Sequence, residues 1–107
     1  MMSESNKPLQ LEWKSRANLD RKSIAIYLGI ECGNPKAALK AIESIDNVIE
    51  QVRQFPQIGL ANEYRMAQAS PYLVFYRVDN GAVVVYRILH QRQNIDEYEL
   101  IDRSAWQ

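Results

Sequence analysis

The sequence predicts a one-domain α+β protein in which the helices and most of the strands occupy separate parts of the chain. Two observations predict this class: a long apolar stripe at helical spacing between residues 35 and 55, and two β-branched, aromatic segments that meet at Asn80-Gly81. A third is the length, because 107 residues form one core and leave no room for a second. We therefore expect residues 1–107 to be a single domain.

The composition excludes several classes of protein. Hydrophobic residues make up 47% and charged residues 24% of the chain, which is typical of globular proteins and argues against disorder. Thirteen Lys and Arg balance thirteen Asp and Glu, so no strong global field attracts nucleic acid or an anionic membrane. No apolar run approaches the roughly 20 residues of a membrane span, and we expect a cytoplasmic protein. With one cysteine, Cys32, and one histidine, His90, we expect no disulfide, no metal and no cofactor.

The first part of the chain predicts a strand and then a helix. Leu9, Leu11 and Trp13 alternate with polar residues, which indicates a short strand at or near the edge of a sheet. Helical spacing follows, with Ser15 as the predicted N-cap, and the helix is expected to run to about Cys32. Its apolar positions are Ala17, Ile24, Tyr27 and Leu28.

A second helix is predicted directly after the first. Gly33 ends the first helix, and Asn34 followed by Pro35 has the chemistry of an N-cap with proline at the first helical position. Because the connection is so short, the two helices should form an antiparallel hairpin. The second helix should end near Phe55, because Pro56 cannot continue it. Its predicted apolar stripe is Ala38, Ala41, Ile42, Ile45, Val48, Ile49, Val52 and Phe55.

The rest of the chain predicts the sheet. We expect strands over 64–67, 72–78 and 82–89, with the last two joined by a two-residue turn at Asn80-Gly81. Residues 94–106 carry apolar side chains at helical spacing and predict a short C-terminal helix that borders the sheet.

The turn at Asn80-Gly81 also predicts which side chains share a face of the sheet. Counting outward from the turn places Leu73 opposite Ile88 and Pro71 opposite His90. We call the face with these residues the predicted working face, because the other face is more uniformly apolar and suits the helical hairpin. The predicted working face is Pro71, Leu73, Phe75, Arg77, Val84, Tyr86, Ile88 and His90.

Few residues suggest catalysis. The sequence has no Gly-rich phosphate loop, nucleophile elbow, HExxH motif or cysteine pair. His90 with Arg92 could combine a proton-transfer group and a phosphate clamp at a strand end, although a lone histidine there is more often a structural hydrogen bonder. Leu73, Phe75 and Ile88 stand where a nuclease would need several cations. Such an apolar surface suits an amphipathic segment of a partner protein.

A modest basic stretch lies at the start of the first helix. It consists of Lys14, Arg16, Arg21 and Lys22 and is a candidate for partner recognition. The alternative is an ordinary solvated helix face, which is the more common role of such a stretch.

The order of these elements, closing with YLVFYRV and YRILHQRQ, resembles the RelE/ParE superfamily of toxins from bacterial type II toxin–antitoxin modules. The resemblance extends from about Leu11 to Tyr98, and the hairpin that ends at residues 90–93 is its most specific part. The positions that match the ParE branch are Trp13, Ala17, Asp20, Ile24, Tyr27, Pro35, Ala37, Ala38, Ile42, Pro56 and Gly59.

The resemblance implies a small cytoplasmic α+β toxin that a cognate antitoxin wraps and neutralises. DNA would be contacted only indirectly, through the antitoxin complex. Toxins of the RelE branch cleave mRNA on the ribosome, with basic residues on the sheet, an arginine and a C-terminal tyrosine. ParE-like toxins inhibit DNA gyrase instead and are not known to perform chemistry of their own.

Transferred residue by residue, the resemblance favours the ParE-like branch. Arg92 and Tyr98 have the spacing of the nuclease arginine and tyrosine. However, Leu73 replaces an expected arginine, and Tyr64 and Met66 fall where the nuclease has lysines. The leading hypothesis is therefore a gyrase inhibitor without a catalytic residue.

Two alternatives stay open. One is a ribosome-dependent mRNA endoribonuclease that uses His90, Arg92 and Tyr98; the other is an inactive member that only binds its antitoxin. In the leading hypothesis the target binds the helical hairpin, including the basic stretch, and the C-terminal region. The antitoxin binds the predicted working face and its border. The expected antitoxin-binding residues are Leu73, Phe75, Tyr86, Ile88 and Tyr98, and the expected target-binding residues are Lys14, Arg16, Arg21 and Lys22.

Overall fold

The computed structural model describes residues 8–55 and 65–92. Two helices pack on a four-stranded mixed sheet, which confirms the predicted α+β class. The sheet order is β1-β4-β3-β2; β1 runs parallel to β4, and the other pairs are antiparallel. In chain order the elements are β1 (Gln10–Trp13), α1 (Ser15–Ile26), a π-helical turn (Tyr27–Glu31), α2 (Pro35–Gln54), β2 (Arg65–Ala69), β3 (Tyr72–Asp79) and β4 (Ala82–His90).

The first helix starts directly after the end of β1. Lys14 still donates its backbone N–H to the Val85 carbonyl at 3.0 Å, in extended conformation, and is the N-cap. Ser15, the predicted N-cap, is instead the first residue of α1. The π-helical turn then carries the helical path as far as Cys32, so the predicted extent of this segment is confirmed.

The connection between the helices follows the local chemistry of its residues. Gly33 has a φ of +64°, a left-handed conformation that suits glycine at the end of a helix. The Asn34 side chain accepts a hydrogen bond from the Ala37 N–H at 3.1 Å, with Pro35 in the first turn, as predicted. Phe55 follows α2 as its C-cap and is 60% exposed, so the C-terminal end of the predicted apolar stripe lies outside the core.

The core lies between the helices and the sheet. Ala17 of α1 and Ile45, Ile49 and Val52 of α2 are at most 2% exposed. Burying a side chain the size of valine or isoleucine contributes roughly 1.5–3 kcal/mol. Of the two helices, α2 therefore contributes most of the free energy of burial in this core. The buried residues of the sheet in this core are Ala67, Ala69, Tyr72, Val74, Tyr76, Val83, Val85 and Ile88.

The β3–β4 hairpin has the predicted turn. Asn80 and Gly81 have φ values of 50° and 77°, the positive pair that a tight two-residue hairpin turn requires. Near the turn the register is also as predicted, with Arg77 opposite Val84.

A β-bulge changes the register farther from the turn. Tyr76 pairs with Val85 and Phe75 with Arg87, so Tyr86 is an extra residue in β4. The predicted pairing of Leu73 with Ile88 is therefore wrong, because Leu73 pairs with Leu89. As a result, Ile88 lies in the core and Leu89 faces away from the helices.

The remaining predictions concern the borders of the sheet. The edge position predicted for the N-terminal strand is confirmed, since β1 is the outermost strand beside β4. The strand predicted over 64–67 is β2, which runs from Arg65 to Ala69. The predicted C-terminal helix over 94–106 lies outside the described residues. Within residues 8–55 and 65–92, no helix is long and apolar enough to cross a bilayer.

Candidate partner-binding surfaces

The side of the sheet that faces away from the helices carries a second apolar cluster. Its buried members are each between 4% and 9% exposed. The sequence correctly predicts an apolar character here, and the five buried members are closely packed. We call this cluster the second face: Leu73, Phe75, Val84, Tyr86 and Leu89, with Met66 packed against them.

Lys14 lies at the border of the second face. Its Nζ is 5.8 Å from the centroid of the Tyr86 ring and 3.7 Å from a carboxylate oxygen of Glu12. A cation over an aromatic ring is attracted by the ring quadrupole. This predicted target-binding residue is therefore engaged by neighbours of its own chain.

His90 lies on the other side of the sheet. It pairs with Tyr72 and not with Pro71, because of the bulge, and the two rings meet edge-to-face with centroids 5.4 Å apart. Its Nδ1 accepts the backbone N–H of Arg92 at 3.0 Å. Arg92 is exposed, and Tyr98 lies outside the described residues. The structure thus separates His90 from the second face.

Asp20 joins α1 to the part of β4 that extends beyond β1. Its carboxylate accepts from Arg87 Nε at 2.8 Å, from Arg87 Nη2 at 3.3 Å and from the backbone N–H of Ile88 at 2.9 Å. The two side chains are 17% and 9% exposed, so this is a largely buried ion pair. This pair is not among the contacts predicted from the sequence, although an arginine among apolar strand residues is a signal that a partner carboxylate is needed.

Arg21 holds the two helices together. Its Nε and Nη2 donate to the two carboxylate oxygens of Asp46 at 3.1 and 2.6 Å, and its guanidinium lies 5.9 Å from the Trp13 ring centroid. Hydrogen bonding to Asp46 raises the pKa of Arg21. Like Lys14, the predicted target-binding residue Arg21 is therefore engaged by neighbours of its own chain.

Two clefts flank α2. One, of about 290 Å³, lies beside the Arg21–Asp46 pair and is lined by Trp13, Asn18 and Glu50 among others. The other, of about 340 Å³, is bounded by α2 and the β2–β3 turn; its lining residues are Leu28, Ala37, Lys40, Ala41, Ser44, Ser70, Pro71 and Tyr72.

The outward side of α1 carries exposed apolar residues. Leu19 and Ile26 of α1 and Ile30 of the π-helical turn that continues it are 60%, 50% and 74% exposed, and we call these three residues the α1 stripe. Arg16 and Lys22, two of the predicted target-binding residues, are exposed beside it. The sequence analysis missed the stripe, although the spacing of its members is visible in the sequence.

The fold is that of toxins from toxin–antitoxin complexes. The chromosomal ParDE system from P. aeruginosa is similar with a TM-score of 0.57 at 24% identity, over 77% of this chain and 95% of that one. The RelBE2 toxin–antitoxin complex from Mycobacterium tuberculosis has a TM-score of 0.55 at 16% identity, over 78% and 99% of the two chains. At these identities the likeness concerns the fold alone.

The family follows from the sequence. The model of the ParE toxin of the type II toxin–antitoxin system matches residues 11–95. This match covers well over half of the chain, so the chain belongs to the ParE toxin family and the resemblance stated above is confirmed. The comparison with curated proteins returns no match.

Proposed function

We propose that this ParE-family toxin arrests growth by inhibiting DNA gyrase in the cytoplasm, and that a cognate antitoxin neutralises it. The antitoxin is supported by the structural neighbours, which are toxin–antitoxin complexes. In this proposal toxicity depends on contact surfaces and on no catalytic residue.

The observation that supports the proposal is the chemistry of the second face. Cleavage of a phosphodiester builds negative charge that cations or oriented donors must stabilise, and one such group contributes roughly 3–4 kcal/mol. Besides the apolar and aromatic members of the second face, the nearby cations are Arg87, which is bound to Asp20, and Lys14, which borders the Tyr86 ring. Arg77 lies on the same side of β3 but near the hairpin turn, about 17 Å along the strand from Tyr72.

The position of His90 supports the same proposal. A nuclease that used His90 would bring its imidazole, a phosphate-binding arginine and further cations into one cleft. Here the His90 ring packs against Tyr72 on the helix side, while Leu73 belongs to the second face. The His90 ring and Leu73, the position at which a nuclease arginine was expected, therefore lie on opposite sides of the sheet.

We propose the second face and its border as the antitoxin site. An antitoxin segment there would contact Leu73, Phe75 and Tyr86, with Leu89 in the place first expected for Ile88, and Tyr98 remains part of this proposal. Because the cluster members are less than a tenth exposed, a segment reaches them only if the cluster opens. The binding of an amphipathic segment could compensate for that opening by burying its own apolar residues.

The target would bind the start of α1. Arg16 and Lys22 are exposed there and are available for direct contacts. Lys14 and Arg21 would contribute indirectly, because each is engaged by groups of its own chain. Gyrase inhibition by this surface would weaken at high ionic strength, since exposed charges are screened by salt.

Expression of the toxin without antitoxin tests the proposal. Gyrase inhibition predicts a DNA-damage response with filamentation, together with loss of supercoiling by purified gyrase. Rapid arrest of translation with cleaved transcripts would instead establish the ribosome-dependent endoribonuclease, and growth without a defect would establish the inactive member.

A triple variant, His90→Ala with Arg92→Ala and Tyr98→Phe, separates the two active hypotheses. A gyrase inhibitor should keep most of its toxicity in this variant, whereas an endoribonuclease should lose it. The circular-dichroism spectrum and thermal midpoint of the purified variant serve as the control that the protein is folded.

A further inference from the structure

The α1 stripe is an apolar surface that folding does not explain. Leu19 and Ile26 are seven residues apart and Ile30 follows four residues later, so all three lie on one side of the helical path. Ala17, which is fully buried, lies on the opposite side. Single exposed apolar residues are ordinary, but a stripe across about three helical turns is typical of a binding surface.

The charge beside the α1 stripe is positive. At about 100° per residue, Arg16 and Lys22 fall roughly 60° to either side of Leu19. Neither side chain makes an ion pair or hydrogen bond to another residue in the described part of the chain. Asp20, the one acidic residue of α1, is bound to Arg87 instead. The stripe is therefore an apolar row between two available cations.

This pattern determines which occupant fits. A second copy of the chain, related by a two-fold axis, would bring each cation close to cations of the other copy, which is unfavourable. A helix with an apolar row flanked by Glu or Asp has the complementary pattern. The stripe from Leu19 to Ile30 is about 16 Å long, which matches three turns of such a helix.

We propose that the α1 stripe docks an amphipathic helix with acidic flanks that belongs to the inhibited enzyme. This inference deepens the proposed function, and the choice of the target as the source of the helix rests on it. The antitoxin site proposed above lies across the sheet from α1, which leaves the stripe to the target.

The first test measures inhibition of gyrase supercoiling by the full-length toxin. The double variant Ile26→Ser with Ile30→Ser should inhibit about tenfold less strongly or worse, and Arg16→Glu with Lys22→Glu should show a similar loss. The matched control is Leu39→Ser, which removes an apolar side chain of 61% exposure from α2 and should inhibit like the wild type. Equal inhibition by all three variants would overturn the proposal.

The second test uses a synthetic helix of about 18 residues with a leucine row flanked by glutamates. Fluorescence anisotropy should show binding to the wild type and to Leu39→Ser, and about tenfold weaker binding to the double serine variant. The same peptide with lysines in place of glutamates should bind weakly. Failure of the acidic peptide to bind, or equal binding to all variants, would contradict the proposal.

Two further outcomes identify other occupants. If sedimentation shows a wild-type dimer that the serine variant loses, the stripe is a self-association surface and the proposal is wrong. If the serine variant loses antitoxin binding but still inhibits gyrase, the occupant is the antitoxin and the proposal is again wrong. If the wild type does not inhibit gyrase while the acidic peptide binds the stripe, gyrase is not the target. The stripe is then still a binding surface for an acidic amphipathic helix.

Discussion

The helices α2 and α1 are attached to the same sheet by different forces. α2 buries Ile45, Ile49 and Val52 almost completely, so its apolar residues are accounted for by the core. α1 has a single fully buried side chain, Ala17, and leaves Leu19 more than half exposed. Where apolar residues are not needed for folding, binding is the natural explanation of their presence.

Polar contacts take the place of the missing core contacts in α1. Asp20 joins it to β4 through Arg87, and Arg21 joins it to α2 through Asp46. Such contacts are directional, so they can hold a helix in place while its outer side stays available to a partner. The following substitutions test whether the two helices do differ in this way.

The largest effect is expected for Asp20→Ala. It leaves the 9% exposed guanidinium of Arg87 and the N–H of Ile88 without their acceptor. Breaking one partner of a buried pair costs about 3–5 kcal/mol. Urea denaturation should show this loss in the free energy of unfolding. A loss below about 1 kcal/mol, the range of surface ion pairs, would mean that α1 is not held by this contact.

The next largest effect is expected for Ile45→Ala in α2. This side chain has no exposed surface, and such truncations cost about 2–5 kcal/mol through lost burial and the cavity left behind. Leu39→Ala on the same helix is the control, because Leu39 is 61% exposed and should change stability by less than about 0.5 kcal/mol. Similar losses for both variants would remove the contrast between core and surface positions.

A smaller effect is expected for Asn34→Ala at the start of α2. The variant loses the acceptor of the Ala37 N–H, and loss of an N-cap costs about 1 kcal/mol. Thermal unfolding followed by circular dichroism should show a lower midpoint. Asn34→Asp should restore most of the stability, because aspartate caps helices as well as asparagine. If the two variants unfold alike, the cap contributes little.

The smallest effect is expected for Asp46→Ala, which releases Arg21. The two side chains are 43% and 34% exposed, so water screens the pair, and a loss of about 0.2–1 kcal/mol is expected. The loss should shrink in high salt, whereas that of Asp20→Ala should persist because its pair is buried. Equal losses in the two variants would mean that burial does not separate these contacts.

Local chemistry explains which parts of the fold could be predicted. The Asn34-Pro35 start of α2 and the Asn80-Gly81 turn depend on residues within a few positions of one another, and both are confirmed. The bulge at Tyr86 depends on how two strands meet, and no residue type signals it. Because of the bulge, Ile88 lies in the core on the helix side of the sheet and not on the predicted working face.

The surfaces were harder to predict than the fold. The apolar character of the second face is visible in the alternation of β3 and β4, but its burial is a property of the folded chain. The partner of Arg21 lies 25 positions away and that of Arg87 lies 67 away, so neither contact has a local pattern. A basic stretch in the sequence therefore indicates candidate binding residues. It does not show which of their side chains are already engaged by other residues of the chain.

The extra residue in β4 also affects which charged side chains lie on the second-face side of the sheet. Arg87 is paired in register with Phe75, whose side chain belongs to the second face, yet Tyr86 occupies that side and the guanidinium turns to Asp20. Deleting Tyr86 would restore plain alternation and send the arginine outward among the apolar residues. A change of one codon would thus place a cation inside an apolar cluster that Lys14 and Arg77 now only border.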